Sequence, residues 1–208
     1  MTNPFISLCL PTYKNVDYLQ RLLQSILKQT FRDIEIIITD NSPDVSVEEL
    51  AKKYAEQLPI KYFRNVPPSS MAENFNLVMR KASGTWIKMM HDDDWFATSD
   101  ALQKFAHTAQ NTNKKFIFSA CTNKYSPSGK AENELLAGWK KEMLEESQIN
   151  LFYLNVIGHP STTMHLKDDS ILYDTQFKWV VDIDFYTRYL LKHGEPEYIP
   201  ETLINIGI

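Results

Sequence analysis

The residues with the plainest chemistry are three consecutive carboxylates, Asp92-Asp93-Asp94, flanked by His91 and Trp95. Adjacent ionised Asp side chains repel by up to ~4 kcal/mol per close pair at an effective dielectric near 20. The apolar run Trp86-Ile87-Lys88-Met89-Met90 leads straight into them. Carboxylates placed at the end of a buried strand need a cation or hydrogen-bond donors to offset that repulsion. Oxygen-rich clusters suit hard ions such as Mg²⁺ or Mn²⁺. Taken alone, the triplet reads equally as a solvated acidic loop. In an extended segment alternate side chains share a face about 6.6 Å apart. Asp92 and Asp94 would then lie together with Asp93 opposite, unless the chain turns.

The elements that would position this triplet follow from apolar periodicity. Phe5 to Leu10 reads as a buried strand stopped by Pro11, and Asn15 can cap the helix marked by Leu19, Leu22, Leu23, Ile26 and Leu27. Ile34 to Thr39 is a wholly buried strand apart from Glu35. A second helical stripe runs from Val47 to Leu58, a third strand covers Ile60 to Arg64, and a third stripe runs from Met71 to Ala82 with Gly84 at a C-cap position. This β-α-β-α-β-α-β order predicts a single-domain α/β fold with a mixed, mainly parallel central sheet flanked by helices. Ligands bind beyond the carboxyl ends of such strands. Three polar clusters fall there: Pro11-Thr12-Tyr13-Lys14, Asp40-Asn41-Ser42 and the triplet. Further on, the pattern predicts a helix from Ala101, a strand over 116–121, a turn over 124–130, a helix over 142–154 and a strand over 160–166. It ends with a helix presenting Ile183, Tyr186, Leu190 and Leu191 on one face, a short edge strand at Tyr198-Ile199, and strand-like final residues.

The 208 residues suffice for one sizeable core; 43% are hydrophobic, 23% charged, and the net charge is −4. That balance argues against a nucleic-acid partner, which would call for a basic face. Cys9 and Cys121 lie in apolar runs with no C-x-x-C, the pattern of buried thiols in a reducing compartment. Met1-Thr2-Asn3-Pro4-Phe5 has no charged n-region or apolar h-region, and no apolar run approaches 18 residues. The expected location is cytoplasmic, with peripheral contact at the inner face of a membrane left open.

Leu10-Pro11-Thr12-Tyr13, Ser25 to Phe31, Glu35 to Ser42, Ala72-Glu73-Asn74-Phe75-Asn76, Ala82 to Ile87 and His91 to Trp95 form an ordered set. In order and spacing it resembles the nucleotide-sugar-dependent family 2 glycosyltransferases, which are inverting enzymes of GT-A (Rossmann-like) fold. The resemblance is close over residues 4–120 and loose beyond. It implies a nucleotide-sugar-binding half, 1–120, and an acceptor-binding half, 121–208, within one domain; the family usually continues past this point, so C-terminal truncation is one expectation. Lys14 stands where the family often has Asn, Glu73 where a basic residue is frequent, and His91 where an acidic residue opens the commonest motif.

The resemblance also implies roles. Tyr13 would stack on the pyrimidine of a nucleoside diphosphate, Pro11 and Thr12 would shape its loop, and Asp40 would accept a hydrogen bond from the base. Asn74 belongs to the same donor site. Asp94 would ligate Mn²⁺ or Mg²⁺, with Asp92 or Asp93 on the ribose hydroxyls or a second-shell water; His91 would pack or orient a carboxylate. The base that deprotonates the acceptor would be Asp182, with Asp184 as runner-up. Simpler readings stand beside these: a core Tyr, an Asx turn at Asp40, and helix-start carboxylates at 182 and 184. His159, Trp139 and Trp179 are candidates to line an acceptor pocket, with core packing the first reading of Trp139. The implied activity is transfer from a nucleotide donor, a UDP-sugar, to a hydroxyl of a glycan or lipid-linked acceptor. The rivals are a silent nucleotide-sugar-binding or scaffolding domain and, less favoured, a nucleotidyltransferase, whose Gly-rich basic loop is missing after the first strand. A dinucleotide-binding oxidoreductase is disfavoured because G-x-G-x-x-G is absent.

Overall fold

A computed structural model describes residues 3–208, so Met1 and Thr2 of the N-terminal stretch lie outside the described residues. Strands β1 (Ile6–Thr12) and β2 (Ile34–Asp40) are buried along their whole length and pair in parallel, Ile6 opposite Ile34 through Thr12 opposite Asp40. β3 (Ile60–Arg64) joins β2, and β4 (Trp86–Met89) joins β1, both also parallel. The crossovers are α1 (Val16–Leu27), α2 (Ser46–Ala55) and α3 (Met71–Lys81). With a period of two along each strand, alternate residues feed opposite layers. Ile6, Leu8, Leu10, Ile36 and Ile38 pack on α1 and α2, while Cys9, Ile37, Ile87 and Met89 pack on α3. This two-sided burial is why the strands read as continuous apolar runs.

The sheet then becomes mixed. β5 (Trp95–Phe96) follows the triplet, α4 (Ala101–Asn111) leads to β6 (Phe116–Lys124), and β7 (Ala131–Glu134) returns antiparallel to β6. After α5 (Trp139–Glu146) come two short 3₁₀ segments, Gln148–Phe152 and Pro160–Thr162, then β8 (Thr163–Leu166), α6 (Val181–His193) and β9 (Glu197–Gly207). The strand order is β3-β2-β1-β4-β8-β6-β9-β5, with β8 antiparallel to both β4 and β6 and β9 parallel to β6. α6 packs Phe185, Tyr186 and Tyr189 against Phe116 in the same layer as α3.

Several boundaries differ from the sequence expectations, each for a physical reason. Pro11 does not stop β1. The Cys9 carbonyl accepts the Met90 N–H, so Pro11, two residues on, turns its missing N–H to the side where β4 has already ended. The helix expected over 142–154 breaks at Ser147, whose hydroxyl caps the following 3₁₀ turn. The segment 160–166 is strand only from Thr163. Tyr198-Ile199 belongs to a long strand lying between β6 and β5, not at an edge. Pro200 falls where the β6–β9 register shifts, Ser119 facing Ile199 and Ala120 facing Thr202, so no ladder N–H is required of it. Leu191 is exposed, off the buried face of α6. Asn15 stands at the start of α1 without a side-chain capping bond.

Gly84 is not the C-cap of α3, a position held by Ala82. It passes so close to β1 that a Cβ there would lie 2.6 Å from Ser7 Oγ. Its N–H donates to Ser7 Oγ at 2.8 Å and to Glu35 Oε1 at 3.1 Å. Glu35, nearly fully buried, also accepts from Ser7 Oγ (2.6 Å), Lys61 Nζ (2.7 Å) and the N–H and hydroxyl of Ser83 (2.6 and 2.9 Å). Burial alone would raise its pKa; the bonds from Lys61, Ser7 and Ser83 outweigh that and bring it down to about 2. The stabilisation is therefore full above the unfolded carboxyl value of 4.5 and is lost as pH falls through about 2. Glu35→Gln is expected to lower stability at pH 7 by on the order of 2–3 kcal/mol. The difference from wild type should shrink toward pH 2 in thermal melts; a constant difference would rule the linkage out.

Candidate functional site

Because β1, β2 and β4 run parallel in register, their carboxyl ends fall on one edge of the sheet. A cleft of about 570 Å³ opens there, lined by Pro11, Thr12, Tyr13, Asn41, Ser69, Asn74, Phe75, His91, Asp92 and Asp93 among others. Tyr13 stands at its mouth with 53% of its surface exposed, and the Lys14 ammonium lies 4.7 Å from the centre of its ring. Lys14 adopts φ 68, the left-handed region that Asn enters more readily than Lys, so its departure from the expected Asn carries backbone strain. Its N–H is held by Ser42 Oγ at 2.7 Å.

The floor is a network of carboxamides. Asn74 Nδ2 reaches the carbonyls of Thr12 and Thr39, both at 3.4 Å, and its Oδ1 accepts from Asn65 Nδ2 at 2.8 Å. The same Asn65 amide donates to Asn41 Oδ1 at 2.8 Å, which also takes the Ser69 N–H. Asn74 thus ties the ends of β1 and β2 to α3. The sequence reading missed Asn41, Asn65 and Ser69 as parts of this floor because each looks like an ordinary turn residue. Asp40 departs from expectation. It is fully buried beneath the cleft, with Oδ1 taking the Ser42 N–H at 2.7 Å and Oδ2 the Tyr62 hydroxyl at 2.7 Å. Its oxygens are committed to shaping the loop, the Asx-turn alternative, and it does not line the cleft.

The triplet is a turn, closed by Asp94 N–H to the His91 carbonyl at 3.2 Å. The extended spacing that would pair Asp92 with Asp94 therefore does not apply. Asp92 Oδ2 accepts the Tyr13 N–H at 3.3 Å, joining the acidic turn to the aromatic loop. Asp93 lines the cleft. Asp94 is only 2% exposed, and its Oδ1 takes the Gly207 N–H at 3.1 Å. His91 stacks on Phe75 with ring centres 5.1 Å apart, and its buried Nε2 has no partner among the described residues. One donor atom from each of His91, Asp93 and Asp94 lies within 4.8 Å of the others. Two carboxylate oxygens and an unpartnered imidazole nitrogen fit a divalent cation, with His91 inside the donor set instead of merely packing beside it.

Two further supports were invisible in the sequence. Arg21 on α1 donates to the Asp93 carbonyl at 2.5 Å and lies 3.7 Å over the Trp95 ring, which explains Trp95. Gly207 approaches the same carbonyl so closely that any Cβ would fall inside 3.0 Å. A glycine late in an apolar strand is the one available signal of such an approach.

The expected base lies across the sheet edge at the start of α6. Asp182 accepts from Asn155 Nδ2 at 3.2 Å, and Asn155 is itself fixed by the N–H groups of Ile157 and Gly158. Val180, two residues before Asp182, has φ 56, an outlier for a β-branched residue. Asp184, the runner-up, is buried and gripped by Arg188 Nε at 2.9 and 3.1 Å and by Nη2 at 2.5 Å. A second cleft of about 370 Å³ is lined by Asn155, Gly158, His159, Asn123, Glu134 and Tyr198 among others. His159 is there; Trp139, 58% exposed, is not in the core, and Trp179 is 84% exposed.

Burial pushes the Asp92 carboxyl up to about 7, the Asp93 and Asp94 charges adding to it against the backbone N–H groups of Tyr13 and of Asp92 itself. Burial likewise raises Asp94, against His91 and the Ser161 hydroxyl. An acid whose folded pKa exceeds its unfolded value costs stability as pH rises between the two, here from about 4 to about 7. Asp92→Asn should therefore stabilise the metal-free protein at pH 8, by about 1–3 kcal/mol, and make little difference near pH 4. Melts of both proteins across that range check it; equal differences at both ends would contradict the assignment.

The model of glycosyl transferase family 2 matches residues 7–174. WcaA of Escherichia coli (strain K12), whose name provisionally makes it a colanic acid biosynthesis glycosyl transferase, is 28% identical over 205 residues, 96% of this chain and 71% of its own. The chain of S. aureus TarS 1–349, solved with UDP, superposes with a TM-score of 0.78 at 19% identity over 98% of this chain and 60% of that one. A mannosyltransferase from Pyrobaculum calidifontis, solved with GDP-Man and Mn²⁺, gives 0.69 at 14% identity over all of this chain and 57% of that one. This chain therefore spans little more than half of the solved relatives. The superpositions establish the GT-A architecture of the mixed sheet and its flanking helices, and the family match establishes that this chain belongs to glycosyl transferase family 2.

Proposed function

We propose that the protein is an inverting, divalent-cation-dependent glycosyltransferase, taking a sugar from a UDP-linked donor to a hydroxyl of a glycan or lipid-linked acceptor. The observation that carries this is the continuity of the first cleft. An exposed aromatic face stands at one end, the half-buried carboxylates of Asp92 and Asp93 at the other, and an uncharged carboxamide floor lies between. Tyr13 stacks on the base, worth about 1–3 kcal/mol for an aromatic face on a base. Asn41 and Asn74 shape the space for base and ribose, and Asp92 or Asp93 takes the ribose hydroxyls. His91, Asp93 and Asp94 hold a cation, Mn²⁺ or Mg²⁺. That cation, when bound, neutralises charge on the diphosphate.

The acceptor enters through the second cleft, whose Asn155 wall orients Asp182. Asp182 accepts the acceptor proton as the acceptor oxygen bonds to the anomeric carbon. The bond from that carbon to the diphosphate breaks on the opposite face, so the configuration inverts. Asn155 keeps one carboxylate oxygen engaged and leaves the other for the proton. Among the described residues no helix is long and apolar enough to cross a membrane.

UDP with Mn²⁺ should raise the melting temperature by roughly 5–10 °C at a hundredfold excess over Kd, following about 2.7 kcal/mol of linkage. Asp182→Asn should keep that shift and lose donor turnover by 10²- to 10⁴-fold, the ordinary worth of a general base. No shift with any nucleoside diphosphate would sink the donor site. A shift without turnover in wild type would mark a silent binding module.

A further inference from the structure

Lys88 is fully buried in the middle of β4, opposite Leu8 of β1. Its ammonium donates to the Ser161 carbonyl and to the Met89 carbonyl at 3.3 Å, and touches Met90 Sδ at 3.3 Å. The rings of Phe105 and Phe96 lie 4.8 and 5.9 Å from it. The charge acting on it is that of Asp94, which opposes the downward pull of burial. Burying an ammonium costs several kcal/mol when no carboxylate pairs with it, and a Met of similar length would occupy the space without that cost. A residue retained against such a penalty calls for a reason.

Ser161 supplies one. It is also fully buried, and it faces two ways. Its carbonyl receives Lys88, while its hydroxyl accepts the His91 N–H at 2.9 Å. A continuous hydrogen-bonded chain thus runs from the interior of β4, through the Pro160–Thr162 turn, to the backbone of His91, one of the three cation donors and the residue that opens the acidic turn. Neither residue lines the cleft, so neither contacts substrate.

We propose that Lys88 and Ser161 are positioning residues for divalent-cation binding, Lys88 locking the Pro160–Thr162 turn against β4 and Ser161 holding His91 at the start of the acidic turn. The inference rests on the reading of His91, Asp93 and Asp94 as cation donors. Loss of either residue lets the turn relax outward and weakens cation binding, although the donors themselves remain.

The test is calorimetric titration of Mn²⁺ into UDP-saturated wild type, Lys88→Met, Ser161→Ala and the double variant, with the melting temperature of each measured in EDTA. Mn²⁺ affinity is expected to fall tenfold or more in each single variant. The double variant should be no weaker than the weaker single, because the two residues act in series. The EDTA melting temperature of Lys88→Met should stay level or rise, since a buried charge has been replaced by an apolar chain. A purely structural role would move melting temperatures and leave Mn²⁺ affinity at the wild-type value, which would overturn the proposal, as would additive losses in the double variant. Wild type that binds UDP but no Mn²⁺ would overturn the cation site itself, a failure visible before any variant is made. Should Lys88→Met not fold, Ser161→Ala decides by the same criterion.

Discussion

Three carboxylates confined to one turn at the edge of a buried sheet are the constraint to which much of the polar architecture responds. Their mutual repulsion is met by donors drawn from distant parts of the chain: the Tyr13 N–H on Asp92, the Gly207 N–H on Asp94, and Arg21 on the Asp93 carbonyl, while the Ser161 hydroxyl takes the His91 N–H. Those contacts come from the end of β1, from α1, from the turn before β8 and from the last strand. The turn is therefore a place where the first and last strands meet. The side-chain oxygens of Asp93 receive the least help, and Asp93 is the member of the triplet with Asp92 that faces the cleft.

The opposite edge of the sheet shows what a purely structural carboxylate looks like in the same protein. Glu35 is as buried as Asp94, yet it is saturated by donors from Ser7, Lys61, Ser83 and Gly84, and its acidity is increased. Asp92 and Asp94 are shifted the other way by burial and by the neighbouring carboxylates, Asp93 above all. Both ends contain buried acids at strand termini, and only the sign of the shift separates an anchor from a site that remains electrostatically unsatisfied. The unsatisfied end is also the end with the cleft.

The first ninety residues were legible because their signals are local. Each strand buried on both faces is an uninterrupted apolar run, each crossover helix carries a one-sided stripe, and the parallel order then forces the three polar loops onto one edge. What failed to be legible depends on contacts between residues far apart in sequence. Gly84 looks like a helix cap and is instead a point of close approach to Ser7, 77 positions away. Asp40 follows a strand as a ligand-binding residue would, but Tyr62 and Ser42 enclose it. Pro200 splits the last strand in sequence, whereas the bulge opposite Ala120 lets the strand run through. Asn41 and Asn65 read as turn formers because only their pairing with Asn74 reveals the network. Lys88 carried no interpretable signal at all, since a lysine in an apolar run gives no hint of which carbonyl it will meet.

One short segment links Asp182 to the acidic turn. Asn155 holds the Asp182 carboxylate, and the Ser161 hydroxyl, six residues on, takes the His91 N–H. Between them Gly158 adopts φ 92, and the Thr162 hydroxyl donates back to the Ile157 and His159 carbonyls, so the segment is internally braced. A displacement of residues 155–161 would move Asp182 and the acidic turn together, and distortion within the segment would change their separation. The strained Val180 on the other side of Asp182 adds a second point at which backbone geometry, not side-chain identity, fixes where that carboxylate lies. The parallel sheet thus positions the first cleft, while a braced loop and one strained residue position Asp182. This division accounts for the contrast between the plain strand–helix alternation of the first half and the irregular second half.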